Sequence, residues 1–306
     1  MKRNHLPGRF ISTMALLPLA MAAGVPSAMA INPGPPQNLF EEDLGTGSIN
    51  EFTPSGAQST FVSGLAGPLA FDDAGNLYVG GNGIVTEITP GGTQSIFASI
   101  GGLPATALAF NDTGNLFVDT GRSIIEITPG GAQSTFVTGP APNPVSLAFG
   151  SNGNLFATTK LQNWIFEITP DGTVSTFALG VRGELAFDSE GDLFAGDNNV
   201  LYEFMNNNDG LSTTPVLFAS VLGPILGMAF DSSGDLFESD GGSNDINEFI
   251  NNGGTLSSTP VVFASGLSPS GLAFAPVPEP ASLTLLAVGS AALFIRGFRN
   301  RKHPNL

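Results

Sequence analysis

The sequence has no cysteine, and its two histidines, His5 and His303, lie close to the ends of the chain. Without cysteine the protein forms no disulfide, thiolate metal site or cysteine nucleophile, and cysteine usage leaves the redox compartment undetermined. Without histidine in the body of the chain, Ser-His-Asp catalysis and histidine-ligated metal sites are excluded there. Carboxylates, amides, hydroxyls and a few cations remain for chemistry.

Basic residues are almost absent from the central region. Residues 31–278 contain Arg122, Lys160 and Arg182 but 25 acidic residues, a net charge of −22. Such a body repels nucleic acid and anionic lipid surfaces, so we expect no nucleic-acid partner. The 306 residues include 40 Gly and 23 Pro without a three-residue period, and 42% are apolar. This composition favours a turn-rich folded domain with a large core over collagen or disorder.

The N-terminus has the three parts of a secretory signal peptide. Three basic residues lie within residues 2–9, an apolar run follows, and residues 28–30 form an Ala-x-Ala cleavage site. This order of charge, apolar run and small residues argues against an amphipathic or buried helix. We expect a signal peptide over residues 1–30, signal peptidase as a processing partner, and a mature chain that begins near Ile31.

The C-terminus carries a tail with a Pro-Glu-Pro tripeptide, an uncharged apolar run over residues 281–295 and a basic end. Extended by Gly297 and Phe298, this run is long enough for a short membrane span, and the basic end stays on the cytoplasmic side. We therefore expect contact with the membrane only through this helix, with the body outside. The residues that carry this prediction are Pro278, Glu279, Pro280, Arg296, Arg299, Arg301 and Lys302.

These three parts, in this order and at the very end of the chain, closely resemble the PEP-CTERM sorting signal. The resemblance implies an exosortase-type transpeptidase of a Gram-negative bacterium as a partner that processes the tail during export. It also implies transient anchoring in the inner membrane, followed by transfer to the cell surface or an extracellular polysaccharide matrix. It concerns where the protein goes and not what it does there.

Between its two ends the sequence repeats with a period near 40 residues. Each unit reads as four short strands: strand a with an apolar triplet, strand b like "NLYV", strand c like "IxEITP" and strand d like "STFA", joined by turns rich in Gly, Asn, Asp and Pro. Four strands in about 40 residues are typical of a propeller blade. The triplet, Leu-Ala-Phe or Met-Ala-Phe, ends at Phe71, Phe110, Phe149, Phe187, Phe230 and Phe274.

The first and last units are incomplete. Residues 38–62 supply strands b, c and d without a strand a, whereas the segment that ends at Phe274 supplies a strand a alone. Together they make one blade, which closes a ring and leaves no exposed edge at either end of the repeat array. We predict an all-β, six-bladed propeller over residues 31–277, preceded by the signal peptide and followed by a transmembrane sorting helix within residues 278–306.

The repeats, with their "AFDxxGNLYV" pattern, resemble NHL and gluconolactonase-like six-bladed propellers, and residues 167–179 also resemble repeats of streptogramin lyase-type propellers. The lyase-type proteins depend on a catalytic histidine that this body lacks, so their activity is not expected here. Gluconolactonase-like proteins bind a divalent ion at the central channel through Glu, Asn and Asp, but no residue here matches that motif one to one.

Four acidic residues after strand b could hold Ca²⁺ through oxygen ligands or could cap turns. They are Glu42, Asp119, Asp197 and Asp240. We expect no cofactor, and Ca²⁺ stays open as an alternative.

A further glutamate recurs on strand c of every unit, at Glu51, Glu87, Glu126, Glu167, Glu203 and Glu248. Because a catalytic group occurs once and not six times, we interpret this glutamate as structural, either facing solvent or bonding between blades.

The three cations of the body fall in loops that open on the same face of a propeller. Arg122 and Lys160 follow strand b and Arg182 precedes strand a, in consecutive blades. The single Trp could stack on a sugar ring or contact an aromatic group. The alternative is that sparse solubilising charges lie in loops because loops are exposed. The hypothetical recognition patch comprises Arg122, Lys160, Trp164, Arg182, Asp119 and Asp197.

We expect an exported, non-enzymatic propeller that binds or displays at the cell envelope or in an exopolysaccharide matrix, with polysaccharide or surface proteins as its ligands. The alternative is a metal-dependent hydrolase or lactonase of the gluconolactonase-like type, which convergent oxygen ligands in the channel would favour. A structural matrix component without a defined ligand is the third interpretation.

Overall fold

The computed structural model describes residues 36–138, 144–159, 162–207 and 210–277. The predicted signal peptide, Lys160 and the residues of the sorting tail from Pro278 onward lie outside these ranges. Within them, no helix is both long and apolar enough to span a bilayer.

Six antiparallel sheets of four strands form the blades, and in each sheet the strands follow the order a, b, c, d. Blade 1 contains β26 (Pro269–Phe274), β1 (Leu39–Asp43), β2 (Ser48–Phe52) and β3 (Gln58–Ser63). Blade 2 contains β4 (Leu69–Phe71), β5 (Leu77–Gly80), β6 (Asn82–Ile88) and β7 (Gln94–Pro104). Blade 3 contains β8 (Ala107–Phe110), β9 (Leu116–Asp119), β10 (Ser123–Ile127) and β11 (Gln133–Thr138).

The remaining blades are continuous in sequence as well. Blade 4 contains β12 (Pro144–Phe149), β13 (Leu155–Thr159), β14 (Trp164–Ile168) and β15 (Val174–Leu179). Blade 5 contains β16 (Leu185–Phe187), β17 (Leu193–Asp197), β18 (Val200–Phe204) and β21 (Val216–Ser220), with its c–d turn extended by β19 (Asn206–Asn207) and β20 (Gly210–Leu211). Blade 6 contains β22 (Ile225–Phe230), β23 (Leu236–Asp240), β24 (Asp245–Phe249) and β25 (Val261–Ser265).

The ring closes through the two ends of the repeat region. The last strand, β26, pairs antiparallel with the first, β1, so that Leu39 lies opposite Phe274 and Phe40 opposite Ala273. The innermost strands contact one another in a complete circle, with β26 between β22 and β4. The predicted six-bladed propeller with a composite blade is therefore confirmed.

Aromatic triads join every blade to the next. In each, an aromatic ring of strand b meets, edge to face, a Phe of strand d in its own blade and the triplet Phe of strand a in the next blade. All centroid distances lie between 4.9 and 5.3 Å. Edge-to-face pairs add about 0.5–1.5 kcal/mol each beyond the area they bury. The Phe of each triplet thus packs against the preceding blade, and this shared packing explains why the triplet recurs.

The outermost strands are free of charged residues. An uncharged edge invites pairing with another chain, and bulges are one means of preventing it. In all six blades the register between strands c and d shifts at the equivalent position, and blade 2 has a second shift nearer the start of strand c. The repeated bulge therefore hinders the pairing of another chain with these uncharged outer strands.

Two faces follow from the strand directions. The b–c and d–a loops open on one face, which we name the top face. The a–b and c–d turns open on the other, which we name the bottom face.

Candidate functional site

A cavity of about 200 Å³ occupies the top end of the central channel; we name it the channel mouth. All six blades contribute to it, because strand a begins there in each blade. The residue directly before each apolar triplet lines the cavity, together with the Leu or Met of the triplet. These six preceding residues are Pro68, Ala107, Ser146, Glu184, Gly227 and Gly271.

Glu184 is the only charged residue among these six. The apolar side chains that start each triplet surround it, and this burial raises the pKa of its carboxyl group to about 8. The backbone N–H of Leu185 donates to the Ser146 hydroxyl at 3.0 Å, which leaves that hydroxyl free to donate to the Glu184 carboxyl group. Near neutral pH the Glu184 carboxyl group is mostly protonated, and it can donate a hydrogen bond into the channel.

A glycine before Glu184 sets its position. Gly183 has φ +101°, and a Cβ at this residue would overlap the carbonyl oxygen of Gly196 on strand b. The N–H of Gly196 in turn donates to the carbonyl oxygen of Glu184 at 2.9 Å. Only glycine tolerates both this φ and so close an approach of two backbones. The start of strand a is thereby held against strand b, with Glu184 at the channel mouth.

Glu42, at the end of β1, is the second carboxyl group of the channel mouth. Burial raises its pKa, although the backbone N–H groups of Gly67 and Gly271 and the Ser270 hydroxyl donate to it and act in the opposite direction. The channel mouth thus combines two carboxyl groups with serine and threonine hydroxyls and with the Leu and Met side chains that start the triplets. Such a set can donate and accept hydrogen bonds, but it contains no fixed positive charge.

The donor set does not fit a metal ion. Across the part of the chain that the structure describes, no three Asp, Glu or His side chains are grouped so that they could hold one. Apart from Asp197, which pairs with the side chains of Arg182 and Asn198, the acidic residues at the end of strand b accept from backbone groups. Asp43 Oδ1 accepts from the N–H groups of Gly45 and Thr46 at 2.8 and 3.0 Å. The fully buried Asp240 accepts from four loop N–H groups at 2.7–3.1 Å, those of Leu222, Gly223, Gly242 and Ser243.

Two buried Glu–Asn pairs lie in the adjacent blades 1 and 6. Asn50 Nδ2 donates to Glu41 at 2.9 Å, and Asn247 Nδ2 donates to Glu238 at 2.6 Å. Both glutamates are fully buried, and in each the second carboxyl oxygen is buried without a hydrogen-bond partner among the described residues. Burial raises the pKa of each to about 7. These groups belong to the packing between strands and do not line the channel mouth.

The described members of the hypothetical recognition patch lie at the top end of blades 3, 4 and 5, but they do not share one environment. Arg122 is exposed in its loop. Trp164 is 36% exposed and packs edge-on against Phe166, with ring centroids 5.7 Å apart. Arg182 Nε lies 3.3 Å from Asp197 Oδ1, which forms an ion pair between the d–a and b–c loops of blade 5. Lys160 lies outside the described residues.

Asp119 differs from the rest of the patch because it is fully buried. Its Oδ1 accepts from the N–H of Gly121 at 2.6 Å, and burial raises its pKa to about 6. It therefore holds its own loop from within and offers no surface for recognition. The sequence hypothesis placed Asp119 near the patch; in the structure this short acid at the end of an inner strand folds back onto the following turn.

The recurrent glutamate of strand c bonds within its own blade, near the bottom face. In three blades an Asn that precedes strand b donates to it: Asn38 to Glu51, Asn115 to Glu126 and Asn154 to Glu167, at 2.6–2.7 Å. Its structural interpretation is consistent with this hydrogen bond, but the bond joins neighbouring strands of one blade and not two blades. In blade 5 Asp192 replaces the Asn; burial, followed by this neighbouring charge, raises the pKa of Glu203.

Sequence reasoning missed Glu184 and Ser146. The signal was present, because Glu184 is the single acid directly before a triplet, where the other units carry Pro, Ala, Ser or Gly. It was overlooked because the acids after strand b outnumber it and resemble metal ligands more closely.

Comparison with known proteins identifies the tail and the fold. Residues 276–302 match the PEP-CTERM protein-sorting motif. No curated protein matches the sequence. A chain of the nidogen/laminin complex is 15% identical, with TM-score 0.65 over 79% of this chain and 99% of that one. A gluconolactonase from Xanthomonas campestris is 18% identical, with TM-score 0.56 over 67% of this chain and 77% of that one.

A streptogramin B lyase is 14% identical, with TM-score 0.54 over 79% of this chain and 95% of that one. At such identities these likenesses concern the fold alone. The sorting motif implies export and membrane-associated sorting by exosortase-type machinery in a Gram-negative bacterium. The chain therefore carries a PEP-CTERM sorting motif at residues 276–302, and its body is a six-bladed β-propeller with gluconolactonase-like and streptogramin lyase-like structural neighbours.

Proposed function

We propose that the propeller is a non-enzymatic binding module whose channel mouth takes a neutral, hydroxyl-rich ligand, such as the end or a side branch of an extracellular polysaccharide. The observation that supports this proposal is the composition of the channel mouth. The Glu184 and Glu42 carboxyl groups and the Ser146 and Ser270 hydroxyls line one cavity to which all six blades contribute, next to the Leu and Met side chains that start the triplets. Sugar hydroxyls pair with such groups, and sugar C–H faces pack on apolar walls.

The negative charge of the body favours neutral over anionic polysaccharides as ligands. Residues 31–278 carry a net charge of −22, and no basic residue lines the channel mouth. Uronic-acid or sulfated chains are therefore repelled, whereas neutral chains are not. The pKa of Glu184, near 8, keeps its carboxyl group a hydrogen-bond donor at neutral pH, and this donor is lost in alkaline solution.

Calorimetric titration of the full chain with neutral and uronic-acid-containing polysaccharides tests the proposal. We expect binding of a neutral chain that weakens about five-fold between pH 6 and pH 9.5, the size of one hydrogen bond. A Glu184→Gln variant keeps the donor and should bind without this pH dependence. The matched control, Glu190→Gln in an exposed turn of the bottom face, should behave like the parent. Equal binding of anionic chains, or an unchanged pH profile in Glu184→Gln, contradicts the proposal.

A second candidate is hydrolysis of a lactone or a related ester. It is favoured by Glu184, since a carboxyl group whose pKa lies near the working pH, beside a serine hydroxyl, is suited to general acid–base catalysis. The donor set described above does not fit a metal, so no metal-assisted step is derived. Turnover of sugar lactones by the full chain that disappears in Glu184→Gln and persists in Glu190→Gln would favour this function over binding alone.

A further inference from the structure

The chain leaves the propeller at the bottom face. Strand β1 begins there at Leu39, and its antiparallel partner β26 ends there at Phe274. The channel mouth lies at the opposite end of these strands, since Glu42 is near the end of β1 and Ser270 near the start of β26. The point of exit and the proposed binding site therefore lie on opposite faces.

The exit point is fixed by hydrogen bonds on both sides. The N–H of Ala275 donates to the carbonyl oxygen of Asn38 at 3.1 Å, and Gln37 Nε2 donates to the carbonyl oxygen of Ala275 at 2.7 Å. Gln37 Oε1 accepts from the N–H of Ser232 in blade 6 at 2.7 Å. Pro276 and Val277 then line a groove at the bottom face between blades 1 and 2. The path of the chain is thus set by the fold up to Val277.

The sorting tripeptide follows without a spacer. Pro278 is the next residue after Val277, and the apolar run begins at Ala281. The six residues from 275 to 280 extend over about 20 Å at most, and the three from 278 to 280 over about 10 Å. A membrane-embedded partner that holds the tail must therefore lie close to the bottom face.

We propose that the propeller is held with its bottom face toward the membrane and the sorting enzyme, and with the channel mouth pointing away from both. This inference deepens the proposed function: it names the face that is presented to a ligand while the tail is still attached. A propeller tethered through a top-face loop would instead close its own binding site against the bilayer. The exit point at the bottom face keeps the site accessible throughout sorting.

The absence of cysteine allows a direct test. Single cysteines replace Ala66 or Ala74, two exposed alanines of blade 2 that lie before and after β4, at the top and bottom faces. Seven residues, with β4 among them, lie between the two positions, which are at most about 25 Å apart at 3.3 Å per residue. Each variant of the full chain is labelled with a donor dye and reconstituted in liposomes of neutral lipid with an acceptor dye on the headgroups. Neutral lipid is chosen because the acidic body is repelled by anionic surfaces.

We expect strong energy transfer from the dye at position 74 and at least two-fold weaker transfer from the dye at position 66. A second pair, Ser55→Cys at the bottom and Ser63→Cys at the top of blade 1, should give the same order and covers the case that one variant fails to fold. A chain that ends at Val277 should show no transfer from either position.

Equal transfer from both faces, or the reverse order, overturns the proposed orientation and leaves polysaccharide binding by the channel mouth unaffected. Failure of the full chain to float with liposomes likewise overturns the orientation and leaves polysaccharide binding by the channel mouth unaffected. Loss of polysaccharide binding in the Glu184 experiment, with the transfer order as expected, overturns the binding function alone.

Discussion

Replacing Phe274 by alanine tests whether the ring closes through aromatic packing between the two ends of the propeller. Phe274 meets Phe237 of blade 6 with centroids 5.0 Å apart and an interplanar angle of 70°. The matched control is Phe149→Ala, because Phe149 meets Phe117 at 5.0 Å and 71° in a junction between blades that are continuous in sequence. Both phenylalanines are partly buried. The two variants thus remove the same contact at a composite and at a continuous junction.

Each substitution should lower the free energy of unfolding by about 3 kcal/mol, the low end of the range for phenylalanine to alanine, because neither ring is fully buried. The edge-to-face contact itself contributes about 0.5–1.5 kcal/mol of this. Denaturant unfolding followed by fluorescence or circular dichroism gives the two values. Equal losses indicate that the composite blade is packed as firmly as the others.

Native-state hydrogen exchange separates the two variants further. Strand β26 is the last strand, so weakening it allows local detachment without opening any other blade, whereas β12 continues into β13 and cannot leave alone. In Phe274→Ala we therefore expect the amides of β26 to exchange at a free energy below that of global unfolding. In Phe149→Ala the amides of β12 should exchange only through global unfolding of the propeller. A β26 that stays protected to the global limit, or a Phe274→Ala variant as stable as the parent, would refute this account of closure.

Three other predictions follow from the buried and paired charges. Folded Glu41 and Glu238 keep their protons up to a pKa of about 7, against an ordinary 4.5, so stability should fall as pH rises from 5 to 8, by about 3 kcal/mol per group. Thermal scans should show this fall, and the Glu41→Gln, Glu238→Gln double variant should reduce it, the remainder coming from groups such as Glu184 and Asp119; a stability that rises with pH contradicts the assignment. Asp240→Asn should cost about 3 kcal/mol or more in chemical denaturation, because its amide cannot accept all four N–H donors. The exposed control Asp112→Asn should leave the midpoint unchanged, and equal effects would exclude the loop-holding role. Arg182→Ala should cost no more than about 1 kcal/mol, less at high salt, because its ion pair is partly solvated; a salt-independent larger loss would show that packing and not charge holds this loop.

The sequence alone was sufficient for the architecture. The triplet ending at Phe71 and its five repeats specify strand a, and the unpaired strand a ending at Phe274 predicts the composite blade that the structure contains. This was possible because each blade is built from local hairpins whose turn residues and alternation are visible in about 40 residues. The sorting tail could also be predicted from the sequence, because its recognition depends on the order of short segments and not on a fold.

The tertiary structure decided which acids matter. Asp119 and Glu184 are both single acids next to a strand, yet one folds inward onto its own loop and the other lines the channel mouth. The raised pKa of Glu184 arises from the apolar residues of six separate blades, and no stretch of sequence brings these together. Burial and electrostatics depend on distances between residues far apart in the chain, whereas strand patterning depends on neighbours. For that reason the ring could be read from the sequence, and the chemistry at its centre could not.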